Sequence, residues 1–186
     1  MPKLTGRRVV LRPYRQEDRE HIAVWANDEE TTRYLSGIFD LPYTEHNADD
    51  YLAMVMAGSP DKAAFVIADA ETEGYLGQID LMDIDRRNRS ATLGILLSRG
   101  KDRGRGLGRE AIGLICRYGF RTLGLNRIEL TVMADNSRAE RCYLACGFRV
   151  EGVRRQADWH DGAFRDVKVM ALLREDYDRM EVGGHV

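Results

Sequence analysis

Cysteine and proline are scarce in this chain: three and four among 186 residues. Cys116, Cys142 and Cys146 are odd in number and fall on helix-like stretches, which excludes a disulfide framework. They also lack the paired CxxC spacing and nearby histidines of a zinc site, so no metal is expected. They read as small apolar core residues of a protein in a reducing compartment, and the cytoplasm is the expected location. Long apolar runs are missing too. Nothing approaches the ~20 residues that span a bilayer, and the start "MPKLTGRRVVLRPY" has basic residues without an apolar signal core. An excess of one charge is equally absent, with 28 Lys and Arg against 30 Asp and Glu for a net charge of −2. That balance gives no global pull toward nucleic acid or an anionic membrane, and "RRNR" (86–89) with a few loop arginines is too little to make a basic face. Neither partner is expected.

What is present reads as one domain over residues 1–178, with 179–186 a flexible tail and no repeat or linker. "RRVVLRPY" (7–14) reads as a strand and "RQEDREHIAVWAND" (15–28) as a helix with an acidic start; 29–60 is less regular, with a helix over 48–58 that stops at Gly58. Three strand-like runs follow at 63–70, 75–84 and 90–98, joined by short polar connections that predict antiparallel pairing. Leu107, Ala111, Leu114, Ile115 and Tyr118 share one helical face. Residues 126–134 alternate as a half-buried strand. "SRAERCYLACGF" (137–148) reads as a helix opened by a Ser137–Glu140 capping box and closed at Gly147. Residues 149–173 read as two strands around an Asp161-Gly162 turn. The order predicts an α+β sheet with helices on its faces.

The chemistry concentrates in "SRGKDRGRGLGREAIGLICRYGF" (98–120), where Lys101, Arg103, Arg105 and Arg109 surround Gly104, Gly106 and Gly108 before a helix. A helix N-terminus leaves backbone N–H groups without partners at the positive end of its dipole, and glycines let an anion approach them. A phosphate site follows, although a bare loop of this kind also serves as a surface turn with solvated arginines. The P-loop reading fails for want of Lys-Ser or Lys-Thr after Gly106. The dinucleotide reading fails on the Gly104-x-Gly106-x-Gly108 spacing and on the antiparallel strands before it.

Arg103-x-x-Gly106-x-Gly108 resembles the R/Q-x-x-G-x-G/A signature of the GCN5-related N-acetyltransferase (GNAT) superfamily. "DNSRAERCYLACGF" (135–148) is similar to that family's N-x-x-A-x-x-x-Y-x-x-x-G-F segment at Asn136, Ala139, Tyr143, Gly147 and Phe148. "RRVVLRPYRQED" and "EGVRRQADWHDGAFRDVKVMALL" resemble the branch containing ribosomal-protein N-terminal and spermidine N-acetyltransferases, so the likeness runs over about residues 7–173.

The resemblance implies a mixed, mostly antiparallel twisted sheet of about six to seven strands with helices on both faces. It implies acetyl-CoA as co-substrate and a primary amine as acceptor, on a protein N-terminus or a small molecule such as a polyamine or amino sugar, attacking the thioester directly in a ternary complex. Homodimers occur in the branch, which admits a homodimer here. The coenzyme pyrophosphate would lie on Arg103, Gly104, Arg105, Gly106, Leu107, Gly108 and Arg109, with a backbone N–H among Ile95, Leu96 and Leu97 on the thioester carbonyl. Asn136 and Ala139 would contact the pantetheine arm, and Tyr143 would be the general acid. The sequence departs from the family at the general base: "ATLG" puts Thr92 where relatives have glutamate, leaving Asp80, Asp83, Glu129 or water to substitute. Trp159, His160, Asp161, Asp166 and residues 29–60 would border the acceptor. Two rivals stay open at this point: an acyl-CoA-binding module of the same fold without turnover, which Thr92 favours, and a nucleotide enzyme.

Overall fold

The computed structural model describes residues 3–35, 41–98, 104–160 and 162–182. Its centre is one eight-stranded sheet in the order β1-β2-β3-β4-β5-β6-β8-β7, formed by β1 (Leu4–Thr5), β2 (Val9–Arg12), β3 (Ala63–Asp69), β4 (Tyr75–Asp85), β5 (Ser90–Leu97), β6 (Arg127–Met133), β7 (Arg149–His160) and β8 (Ala163–Leu173). The mixed, mostly antiparallel sheet matches the expected fold class, with β1 taking the count above six to seven. Alternation decides which side chains go where. Phe65 and Ile67 of β3 enter one core, while Ala64, Val66 and Ala68 enter the other. The first core lies under α4 (Leu107–Arg117), joined by α5 (Ser137–Ala145) and α6 (Arg174–Val182). The second lies under α1 (Arg19–Ala26) and α3 (Glu45–Ala57), with the single turn α2 (Glu29–Thr32) between them.

The β5–β6 pairing sets the stage for everything else. It is the parallel one among the described pairings, and its ladder has three rungs: Ser90–Arg127, Ala91–Ile128 and Thr92–Glu129. Beyond Thr92, β5 continues to Leu97 and β6 to Met133 without pairing to each other. The two strands part, and the opening lies at the N-terminus of α4.

Two local expectations change. The helix after β6 is not capped by Ser137 in a box with Glu140. Asn136 is the cap, its Oδ1 accepting from the Ala139 N–H at 3.2 Å, while Glu140 turns to Lys168 at 2.7 Å. A half-buried ammonium partner outcompetes a backbone N–H for that carboxylate. The stop at Gly147 holds: its φ is +89°, and a Cβ there would sit 2.4 Å from the Met180 side chain. At the far end, α6 runs four residues into the expected tail, because Tyr177 buries its ring 5.0 Å from that of Phe120. Residues 183–186 lie outside the described residues, as does Asp161 of the expected turn.

Candidate active site

The parting of β5 and β6 opens a cleft of about 360 Å³. Ile95, Leu96 and Leu97 line it from β5, and Thr131, Val132 and Met133 from β6. Gly104, Gly106, Gly108, Arg109 and Ile112 close it at the start of α4, and Asn136, Arg138, Ala139, Cys142 and Tyr143 at α5. Its remaining wall is α2 and the turn after it, through Glu30, Thr31, Tyr34 and Leu35. Most of the residues singled out from the sequence therefore meet in one place. Arg103 and Lys101 lie outside the described residues. Two others point elsewhere: Leu107 is buried in the core under α4, and Arg105 lines a separate cavity with Arg7, Arg8 and Asp69. Only their backbone groups remain near the loop.

Gly106 caps α4 in the left-handed conformation, φ +78°, and Gly104 has φ +77°. Both bends suit glycine because a Cβ strains there. The loop is held by a partner that no local motif announced. Arg8, at the entry to β2, donates from Nη1 to the Arg105 carbonyl at 2.6 Å and from Nη2 to the Gly106 carbonyl at 3.4 Å. Glu110 holds that arginine in turn: Oε2 accepts from Arg8 Nε at 2.9 Å, and Oε1 from the Arg8 backbone N–H at 2.7 Å. This clasp occupies the loop's carbonyls from outside. Gly106 and Gly108, at the N-terminus of α4, line the cleft, and a helix N-terminus leaves backbone N–H groups without intrahelical partners.

Tyr143 is half-buried, its ring 6.1 Å from that of Phe148, and its hydroxyl makes no hydrogen bond to a described residue. Burial pushes its phenol well above the usual value, and the nearby thiols of Cys142 and Cys146 add to this. The group stays protonated throughout the ordinary pH range. Asn136 spends its carbonyl oxygen on the helix cap, which leaves its amide N–H groups as the donors available to the cleft.

The candidate bases do not gather here. Asp80 is buried on the opposite core, 3.2 Å from Lys62; burial raises its carboxyl despite that ammonium. Asp83 sits in an irregular turn of β4 with φ +51°. Glu129 stands opposite Thr92 across the three-rung ladder, and Arg127 Nε donates to its Oε2 at 2.9 Å. The carboxylate among the described cleft residues is Glu30, which lies in the irregular 29–60 stretch and was singled out by no motif. Expected acceptor-side residues also fall away from the cleft. Trp159 packs on Phe164 at the hairpin tip, His160 pairs with Ala163, and Asp166 accepts from the Gln156 N–H at 2.8 Å. Arg165 of that hairpin instead reaches α2, donating to the Arg33 carbonyl at 3.3 Å and lying 6.0 Å over the Tyr34 ring. Among the described residues no group of three or more His, Cys, Asp or Glu is placed to hold a metal ion, and no helix is long and apolar enough to cross a membrane.

Residues 8–149 match the model of the acetyltransferase (GNAT) domain family. The chain is 31% identical over 182 residues to p20 of Bacillus licheniformis, an uncharacterized N-acetyltransferase, covering 95% of this chain and 99% of the relative. It is 28% identical over 170 residues to spermidine N(1)-acetyltransferase of Escherichia coli K12, covering 91% and 88%. Among solved structures, spermidine N-acetyltransferase from Vibrio cholerae in complex with CoA and spermine superposes with a TM-score of 0.81 at 27% identity, over 91% of this chain and 98% of that one. The chain belongs to the GNAT acetyltransferase family, enzymes that use acetyl-CoA as co-substrate.

Proposed function

We propose that this acetyltransferase moves the acetyl group of acetyl-CoA to a primary amine of a small cationic acceptor, of which polyamines are the first class to test. The observation that carries the reading is one cleft lined at once by the loop glycines, the parted ends of β5 and β6, Tyr143 and Glu30. The relatives named as spermidine acetyltransferases support the acceptor class.

In this reading the N–H groups of residues 104–109 hold the pyrophosphate, aided by Arg109 and by Arg103. A backbone N–H among Ile95, Leu96 and Leu97 polarises the thioester carbonyl, where negative charge develops as the amine adds. Asn136 donates to the pantetheine arm, and the small methyl side chain of Ala139 leaves it room. The amine nitrogen bonds to the carbonyl carbon, the C–S bond breaks, and Tyr143 gives its proton to the departing sulfur. A phenol raised by burial remains a suitable donor because the same dry surroundings make the thiolate more basic. The acceptor nitrogen loses its proton to water, and Glu30 draws the cation to the cleft. The proposed location is the cytoplasm, where the three free thiols stay reduced.

Thr92 favours a second acceptor, a peptide α-amine. An α-amine of pKa ~7.7–8.0 is substantially neutral near pH 7 and asks less of a base than an alkyl amine near ~10.4. The test is acetyl-CoA-dependent thiol release across polyamines, amino sugars, amino acids and peptide N-termini, with the product identified by mass. Turnover with a polyamine and none with peptides supports the first reading; the reverse pattern selects the second. Tight acetyl-CoA binding with no turnover on any amine refutes both.

A further inference from the structure

α2 is four residues long, and a helical turn of that length has no stability of its own. Its position is set by what grips its ends. At the start, the Asp28 carboxylate accepts from the Thr31 N–H at 3.1 Å. At the end the grip comes from β8, 132 residues away: Arg165 Nη2 donates to the carbonyl of Arg33, the C-cap, at 3.3 Å. Tyr34 and Leu35 follow at once, and both line the cleft with Glu30 and Thr31. The Tyr34 ring lies 5.5 Å from the Arg33 guanidinium and 6.0 Å from that of Arg165. Arg165 is itself built into place. Its side chain is 14% exposed, Nε and Nη2 donate to Asp158 Oδ2 at 3.1 and 2.8 Å, and Nη1 lies 3.8 Å from Asp135 Oδ2. One planar fork thus serves the β7–β8 hairpin, α2 and the loop before α5, which no single ammonium could do. The loop before α5 does not depend on it. The Asp135 contact is long, while the loop backbone is fixed by the Ala134 N–H on the Asp166 carbonyl and the Asn136 N–H on the Met133 carbonyl, each at 2.9 Å.

We propose that Arg165 is a positioning residue for the acceptor: lining no part of the cleft itself, it fixes the wall that Tyr34 and Leu35 present to the amine. The inference rests on the reading that the acceptor amine enters this cleft beside α2. Charge and geometry predict different results here, which makes the role testable. Arg165→Lys keeps the charge and loses the fork. Arg165→Gln loses the charge and leaves Asp158 and Asp135 to attract a cation. A role in charge alone would leave the lysine variant like wild type and lower the KM of a cationic acceptor in the glutamine variant. A positioning role raises KM in both.

The experiment uses the full chain with spermidine as acceptor, or a peptide N-terminus if the wild type acetylates that instead. It measures initial rates over both substrates, calorimetric acetyl-CoA titration and urea denaturation. Both variants should raise the acceptor KM about 10-fold or more, the order expected when a hydrogen bond from a charged donor is lost. The kcat should stay within about 3-fold and the acetyl-CoA Kd within about 2-fold, the pattern of lost acceptor binding. Because Arg165 acts through the wall, adding Arg165→Lys to Tyr34→Leu should raise KM by less than about 3-fold further. Arg149→Ala breaks a 2.8 Å ion pair with Asp176 at the far end of the same hairpin and should leave KM where it was. If Arg165→Gln does not fold, the lysine variant and its pairing with Tyr34→Leu still decide. An unchanged KM in Arg165→Lys, full additivity with Tyr34→Leu, or an acetyl-CoA Kd that rises as far as the acceptor KM overturns this inference alone. A loss of stability without a change in KM does the same, since Arg165 would then hold only the hairpin. A wild type that turns over no amine overturns the functional reading and this inference with it.

Discussion

Replacing Glu110 by alanine tests whether the clasp behind the loop shapes the coenzyme site. The carboxylate accepts from the Arg8 backbone N–H at 2.7 Å, from Arg8 Nε at 2.9 Å and, more weakly, from the Val9 N–H at 3.4 Å. The Arg8 side chain is half exposed, so the ion pair itself contributes no more than about 0.2–1 kcal/mol. The backbone N–H bond to a charged acceptor adds about 1 kcal/mol in this part-exposed setting. The expected loss is about 1–2 kcal/mol, a fall of about 2–8 °C in Tm for a chain of this size. Freed of Glu110, Arg8 no longer pins the carbonyls of Arg105 and Gly106, and acetyl-CoA affinity should fall by about 3–10-fold. Burial works to raise the Glu110 carboxyl, but hydrogen bonds from Arg8 and Val9 outweigh it and its pKa lies below the ordinary value. A depressed folded-state pKa contributes stability that is full above the unfolded carboxylate value and disappears as pH falls through the folded one. The gap between wild type and Glu110→Ala should therefore be widest near neutrality and close in acid. Urea denaturation over pH 3–8 with calorimetric acetyl-CoA titration makes the measurement. Equal stability and equal affinity at pH 7 would refute the argument. So would a gap that widens in acid.

Three further outcomes follow from the geometry. Tyr143→Phe should keep acetyl-CoA affinity while lowering kcat about 100-fold or more, and wild-type kcat should show no alkaline fall below about pH 10, since the phenol is raised; a fall near pH 8 that vanishes in the variant would reverse that reading. Gly106→Val places a β-branched residue at φ +78° with a Cβ 3.0 Å from Arg8 Nη2, so calorimetry should detect no acetyl-CoA binding in the folded variant, and retained affinity would make the loop a mere turn. Asp18→Ala removes the partner that accepts twice from the buried Arg12 guanidinium, at 2.8 Å each. It should cost about 3–5 kcal/mol, read by urea denaturation, and a loss under about 1 kcal/mol would show that water replaces the carboxylate.

The parts that were legible in the sequence are those whose determinants lie close together in the chain. α4 announced itself because Leu107, Ala111, Leu114 and Ile115 repeat at helical spacing, and all four are buried. The antiparallel series of β3, β4 and β5 followed from short polar connections. Asn136, Ala139 and Tyr143 come together because they share one helix and its cap. What escaped depends on distant partners. Arg8 and Glu110 are 102 residues apart, and neither looks unusual in its own neighbourhood. α2 is a single turn, too short to leave a periodic signal, so the expectation that residues 29–60 border the acceptor did not single out Glu30 and Thr31 as the residues that line the cleft. α6 is mostly charged and owes its place to one buried tyrosine. The capping residue was displaced by one position because Lys168, from another strand, claimed Glu140. A reading of side-chain types also could not tell that Arg105 and Leu107 turn away while their neighbours face inward.

The three rungs between β5 and β6 have a consequence for how the chain reaches its working form. Strands β1 to β5 come from residues 4–97 and strands β6 to β8 from 127–173, and within each block the described pairings are antiparallel. Among the described pairings the two blocks meet edge to edge at Ser90–Thr92 and Arg127–Glu129, with α4 packed on β1, β2, β4 and β5 of the first block and on α5. The hairpins β3–β4, β4–β5 and β7–β8 close early, whereas β5–β6 pairing across residues 98–126, like β2–β3 pairing across 13–62, waits on a costlier loop closure. Docking of the blocks is then among the late events in folding, and the binding-competent molecule is its product. A coenzyme that recognises only the docked form holds it shut by mass action, by about 2.7 kcal/mol at 100-fold above its Kd. Slow exchange of the amides of residues 90–92 and 127–129 should therefore report on coenzyme occupancy more sensitively than that of either block's interior.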